Sequence, residues 1–326
     1  MIISKTPFRV SLLGGGTDFP SYYKKYSGCV IGGTIDKFCY VTVRRMPNVF
    51  NFKHRIVWSK NETVNQNNEI IHPTVRSVFN YLKIKNGLEV HYQGDLQKNS
   101  GLGTSSSFCV GLLKSIYTLN KITKSKKKLA LEAIKIEQNI MKENSGSQDQ
   151  IWASYGGFNF IKFNSKNIFE VKNLKIKREK IHDLNSNLIL IYTGLHRFSN
   201  TVEKDKLKNF EKNIKYLDKI KNLTLNLKKE LLNNKKNENI GAFLNEYWEL
   251  KKELSLKVTN SKINEIYEEA LKSGATGGKL IGSGGGGYLL VYCKKKFLSK
   301  LKKRLRKLSI INFNFTNKGS EIIFNS

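Results

Sequence analysis

The segment Gly101-Leu102-Gly103-Thr104-Ser105-Ser106-Ser107 constrains this chain more than any other. Two glycines lead into four hydroxyl residues, and the apolar run Phe108 to Leu113 follows, which predicts a tight turn opening a helix. The first turn of a helix leaves N–H groups unpaired and carries the positive end of the dipole, so such a turn is a cradle for phosphate. Its serine hydroxyls are also oxygen donors of the kind Mg²⁺ prefers. A Ser-capped helix with no ligand satisfies the same pattern, so the loop needs companions to carry a function. It is not the G-x-x-x-x-G-K-[ST] phosphate loop, because no Lys stands where that pattern requires one.

Two further glycine segments narrow the choice. In Arg9-Val10-Ser11-Leu12-Leu13-Gly14-Gly15-Gly16-Thr17-Asp18 a short strand enters three glycines, and Thr17 and Asp18 offer hydrogen-bonding groups at the edge of the loop. A tight turn closed by Asp fits equally well. The third segment, Gly282-Ser283-Gly284-Gly285-Gly286-Gly287, formally matches G-x-G-x-x-G. A dinucleotide site needs a helix after that motif and an acidic residue about 20 positions on. Here a strand follows, Tyr288 to Tyr292, and the later region is Lys-rich, so the dinucleotide reading fails. What remains is backbone that packs close to another loop or to a ligand.

A quieter pair is acidic. Leu129, Ala133, Ile136 and Ile140 predict one apolar helix face, with Glu137 beside it and Asp149 twelve residues later in a Gly/Ser loop. One carboxylate could hold a metal while the other takes a proton, although isolated acids are ordinarily surface residues. The histidines show no metal-ligand spacing.

Composition then excludes whole classes. The net charge of +31 invites a nucleic-acid reading, but it is spread as +8, +9 and +14 over residues 1–100, 101–200 and 201–326. With no zinc-finger spacing, RNP strand or basic zipper, the lysines read as solvated surface, and no nucleic-acid partner is expected. Four cysteines with no C-x-x-C pair fit a reducing compartment. The first twenty residues carry Arg9, a glycine run and Asp18, which no secretory core would tolerate, and no apolar run is long enough to span a membrane. A cytoplasmic protein is expected. Strands precede and follow helices in both halves, giving an α+β chain of two domains, 1–185 and 186–326, with long Lys-rich helices between Glu203 and Leu256 and a further helix marked by Phe297, Leu301, Leu305 and Leu308.

Taken in order, these segments resemble the GHMP kinases, the superfamily of galactokinase and of homoserine, mevalonate and phosphomevalonate kinases. Arg9 to Asp18 is similar to that family's N-terminal motif, Gly101 to Ser107 to its phosphate loop, and Gly282 to Gly287 to its C-terminal glycine motif. The resemblance implies an N-terminal domain like ribosomal protein S5 domain 2, a ferredoxin-like C-terminal domain, and an active site between them that uses ATP and Mg²⁺. By the same resemblance Asp149 is the base and Arg9 steadies the developing oxyanion. Gly101, Leu102, Gly103, Thr104, Ser105, Ser106 and Ser107 bind ATP, and Glu137 with Ser105 or Ser106 holds the metal. Gly15, Gly16, Thr17, Asp18, Arg197, Gly284 and Gly285 meet the substrate.

Within the superfamily, Leu13 to Pro20 looks like the sugar kinases acting on D-glycero-α-D-manno-heptose 7-phosphate, and Tyr192 to Arg197 is similar to a segment of heptose and fucose kinases. Galactokinases carry Glu-His where this chain has Gly15-Gly16. The implied reaction is phosphoryl transfer from ATP to the anomeric C1 hydroxyl of a phosphorylated sugar. The rivals are an L-fucose-type sugar 1-kinase and, from another class, a nucleic-acid-binding S5-like protein. Thr104 stands where many relatives have Ser, which leaves open whether Ser105 or Ser106 reaches the metal.

Overall fold

β1 (Ile2–Leu13) is apolar at almost every second position and buried nearly throughout, so it needs cover on both faces and a partner on each edge. The structure, a computed structural model, describes residues 1–97, 100–195, 199–233 and 239–326. β1 lies antiparallel to β2 (Gly28–Arg45), an 18-residue strand long enough to serve two further neighbours. The first half of β2 pairs with β6 (Phe158–Asn164), and its second half pairs with β5 (Leu88–Gly94). β3 (His54–Val57) and β4 (Asn61–Val64) extend the sheet beyond β5, while β7 (Ile168–Asn173) extends it beyond β6. The helix Thr104–Leu119 packs across β1 and β2.

The second sheet is antiparallel and four-stranded. It is built from β8 (Leu188–Tyr192), β9 (Ala275–Leu280), β10 (Tyr288–Cys293) and β11 (Ile310–Asn312), in the order β11-β8-β10-β9. With the helices Ser261–Lys272 and Lys295–Arg304 in the crossovers, this is the βαββαβ arrangement of a ferredoxin-like domain. The helices Ser199–Lys208, Phe210–Leu232 and Ile240–Lys252 are inserted after its first strand. The two layers give an α+β chain with the expected pair of sheets. The boundary is less simple than a cut at residue 185, because β12 (Glu321–Asn325) leaves the second half and pairs antiparallel with β1. β1 would otherwise present an unpaired outer edge, which a sheet tolerates poorly.

Two helical expectations change. The chain is helical from Lys126 to Ile134 and then continues as a π-helical turn, Lys135–Ile140. An i→i+5 turn is wider than the 3.6-residue period assumed by the apolar stripe. Ile140 therefore rotates out and is 41% exposed, and Glu137 rotates inward to 1%. The last helix ends at Arg304, so Leu305 and Leu308 pack beyond its end rather than along its face.

Candidate active site

A cleft is lined by both halves of the chain: the first glycine loop, the phosphate-loop residues, the 143–149 segment, and side chains from the inserted helices and β9. Arg9 joins three of its parts. Its amide donates to the Leu102 carbonyl at 3.0 Å, and its Nη1 donates to the Gly101 carbonyl at 2.5 Å. Nε and Nη2 donate to Oδ1 and Oδ2 of Asp149, each at 2.7 Å. A two-pronged guanidinium–carboxylate contact fixes the plane of the carboxylate as well as its place. Arg9 is only 4% exposed, so this pair is largely shielded from solvent.

The phosphate loop takes the shape its sequence requires. Gly103 caps the helix Thr104–Leu119 with φ 73°, and a Cβ there would lie 3.2 Å from Asp149 Oδ2. That conformation and that closeness suit glycine. The hydroxyls diverge. Ser105 and Ser106 donate to Glu137 at 3.2 and 2.7 Å, whereas Ser107 donates to the Pro7 carbonyl and ties the helix to β1. Leu102 is buried in the core and contributes its carbonyl to Arg9. The amide of Tyr288 donates to the Ser100 carbonyl at 3.3 Å, which sets the third glycine segment against the phosphate loop.

Glu137 also accepts a hydrogen bond from Gln150. Burial, helped by the nearby Glu143 and Asp149 carboxylates, pushes its carboxyl up to about 8, against the opposing hydrogen bonds from Ser106 and Gln150. Burial and the Asp149 charge likewise push Asp18 up to about 6. In the metal-free protein the native state therefore keeps a proton on Glu137 that the unfolded chain has released. Stability is expected to fall between about pH 4.5 and 8, by at most ~1.4 kcal/mol per pH unit for this one group. Urea midpoints across that range should show the decline, and Glu137→Gln should make it shallower, leaving the parts that Asp18 and Glu143, also raised by burial, contribute. An unchanged slope in the variant would remove Glu137 as its source.

The first glycine loop divides in two. Gly15 and Gly16 line the cleft, and the Gly15 carbonyl accepts from the Tyr247 hydroxyl at 3.1 Å. Asp18 is fully buried at the cleft margin, accepting from the amides of Gly16 at 2.9 Å and Gln148 at 3.3 Å. Gly146 leaves room for it, since a Cβ there would lie 1.9 Å from Asp18 Oδ2. The Thr17 hydroxyl instead faces the backbone: it donates to the carbonyls of Gly14 and Cys29 and accepts from the Cys29 amide. In the third segment Gly282 and Ser283 line the cleft. Gly284 and Gly285 turn toward the Val258 and Lys257 backbone, the Gly285 amide donating to the Val258 carbonyl at 2.8 Å. Arg197 lies outside the described residues.

Sequence reasoning missed the lysines of the opposite wall. Lys206, Lys251 and Lys279 all line the cleft, and Lys251 and Lys279 are each only 2% exposed. The readable signal was Lys279 itself, the one charged residue of the short, glycine-rich β9. Among the described residues no cluster of three or more His, Cys, Asp or Glu side chains could hold a metal ion, and no helix is long and apolar enough to cross a membrane.

A cleft with a helix-capping phosphate loop, a fixed carboxylate and two α+β lobes is the arrangement of a phosphotransferase. The chain matches the GHMP kinases N terminal domain over residues 69–157 and the GHMP kinases C terminal domain over residues 228–308, together just over half of its length. It belongs to the GHMP kinases, phosphotransferases that take an alcohol group as acceptor and ATP as donor. It is 28% identical to D-glycero-alpha-D-manno-heptose 7-phosphate kinase of Campylobacter jejuni, over 98% of this chain and 97% of that protein. It is 29% identical to a bifunctional fucokinase/GDP-fucose pyrophosphorylase of Arabidopsis thaliana, over 67% of this chain but 21% of that much longer protein. The fold is shared with the crystal structure of a D-glycero-D-manno-heptose 1-phosphate kinase from Bacteriodes thetaiotaomicron, with a TM-score of 0.81, 22% identity and full coverage of both chains.

Proposed function

We propose that the protein transfers the γ-phosphoryl group of ATP to the anomeric C1 hydroxyl of D-glycero-α-D-manno-heptose 7-phosphate, giving the 1,7-bisphosphate. The observation that carries the chemistry is the Arg9–Asp149 pair, held within the cleft beside Gly103 at the mouth of the phosphate loop. Phosphoryl transfer depends on positioning and charge neutralisation more than on covalent help. Asp149 Oδ1 and Oδ2 each keep a lone pair beyond the one given to Arg9, so the carboxylate accepts the C1 hydroxyl proton while remaining fixed. Arg9 uses three of its five N–H groups on Asp149 and Gly101, which leaves two to donate toward the developing oxyanion. The amides opening the helix at Thr104–Ser106 receive the ATP phosphates. Gly15, Gly16 and Asp18 lie where the sugar ring would sit.

Mg²⁺ fits the oxygen-donor set of Glu137, Ser105 and Ser106. These are hard ligands, and a buried carboxylate that retains a proton to about pH 8 marks a place short of positive charge. When bound there, the ion would neutralise charge on the ATP phosphates. No nucleic-acid partner enters this reading, and a cytoplasmic location accords with four buried, unpaired cysteines.

The choice of sugar rests on the near-full-length similarity to the Campylobacter jejuni heptose 7-phosphate kinase and on the absence of side chains at Gly15 and Gly16. An L-fucose-type sugar 1-kinase is the second reading, favoured by the match to the plant fucokinase. ATP consumption measured side by side with heptose 7-phosphate, L-fucose, galactose and mevalonate separates them. Turnover is expected with heptose 7-phosphate, with phosphorus NMR placing the new phosphate on C1. Turnover of fucose alone, or transfer to another hydroxyl, would overturn the assignment.

A further inference from the structure

The charges in the cleft are unevenly divided between its two walls. The N-terminal half contributes the carboxylates of Asp18, Glu137, Glu143 and Asp149, with Arg9 committed to Asp149, while the C-terminal half contributes Lys206, Lys251 and Lys279 from three elements and the single carboxylate Glu203. The nucleotide already has its place on the carboxylate side, at the helix N-terminus and the Glu137–serine set. The ammonium groups on the facing wall are surplus to it.

We propose that this C-terminal wall is an anion subsite, in which Lys206 and Lys251, backed by Lys279, take the phosphate that the sugar brings with it. The proposal deepens the sugar-phosphate kinase reading and rests on it. Lys251 donates to the carbonyls of Leu280 at 2.7 Å and Gly282 at 2.5 Å. Lys206 donates to the next carbonyl along, Ser283, at 2.7 Å, and meets Glu203 at 3.3 Å. Adjacent carbonyls thus bring two ammonium groups to adjacent points on the cleft wall, a spacing suited to one doubly charged group. Lys279 donates to the Leu12 carbonyl at 2.8 Å and stands 4.1 Å from the centre of the Tyr247 ring.

Burying an ammonium group is costly, and carbonyl dipoles soften that cost without neutralising the charge. Burial and the Arg9 charge hold Lys279 well below the usual lysine range, and the negative charge of a phosphate nearby would work against both. The alternative use of these lysines is to pin the 280–283 loop. That role treats phosphorylated and free sugars alike, whereas an anion subsite distinguishes them.

The test compares wild type with Lys206→Met and Lys251→Met by calorimetry, titrating heptose 7-phosphate, free heptose, mannose 6-phosphate, mannose and ATP. Wild type is expected to prefer each sugar phosphate over its free sugar, and each variant to narrow that ratio by about 10–100-fold with ATP affinity held within about twofold. Equal weakening for phosphorylated and free sugars, or a parallel loss of ATP binding, would overturn the subsite. If Lys251→Met does not fold, Lys206→Met reads the same ratio from a less buried position. Wild type binding sugar phosphates no tighter than free sugars sinks the subsite whatever the reaction. Binding through these lysines with transfer to a hydroxyl other than C1 sinks the assigned reaction and leaves the subsite standing.

Discussion

Asp149→Asn should lower turnover by about 10²–10⁴-fold, the usual range for loss of a general base, while ATP binding persists. The substitution keeps the shape of the side chain and removes its charge. One amide oxygen can still accept from Arg9, but the amide NH₂ then faces a guanidinium nitrogen, and two donors cannot pair. The loss in kcat must therefore be read against folding, with a melting curve and an ATP dissociation constant measured on the same preparation. Near-full activity in a folded variant would remove Asp149 from the chemistry.

Arg9→Met is expected to cost both activity and stability. Exposed ion pairs contribute about 0.2–1 kcal/mol, whereas breaking a buried pair costs about 3–5 kcal/mol because the surviving charge is stranded. Arg9 is nearly inaccessible and Asp149 retains some exposure, so the lower end applies, about 3 kcal/mol in urea unfolding. The kinetic consequence separates two roles. If Arg9 works by holding Asp149, the double variant Arg9→Met/Asp149→Asn should turn over no more slowly than the worse single variant. Additive losses would show that Arg9 acts on the oxyanion independently. Arg9→Lys should also fall short of wild type, since a point charge cannot reproduce the fork.

Much of this cleft was legible because its parts are short and local. A glycine turn before hydroxyl residues specifies a helix N-terminus with little help from the rest of the chain, and Gly101 to Ser107 form one. Long-range placement was less legible. Nothing around Ser107 reveals that Pro7, one hundred residues earlier, will claim its hydroxyl, or that Cys29 and Gly14 will claim Thr17. The position of Glu137 depended on a π-helical turn that no 3.6-residue template anticipates. The cleft lysines were hidden by number: with 57 Lys and Arg in the chain, the few that are buried look like the many that are solvated. Only Lys279 stood out, as the one charged residue of a short, glycine-rich strand.

The return of β12 to β1 has a consequence in time. During synthesis β1 leaves the ribosome well before β12, the strand that covers its outer edge. Arg9 and Asp149, both in the first half, can meet once residue 149 has emerged, but the lysine wall waits for β9 and its following loop. The chain thus assembles its proton-accepting pair before its cation-lined wall. The first sheet is complete only once β12 has emerged to cover the edge of β1.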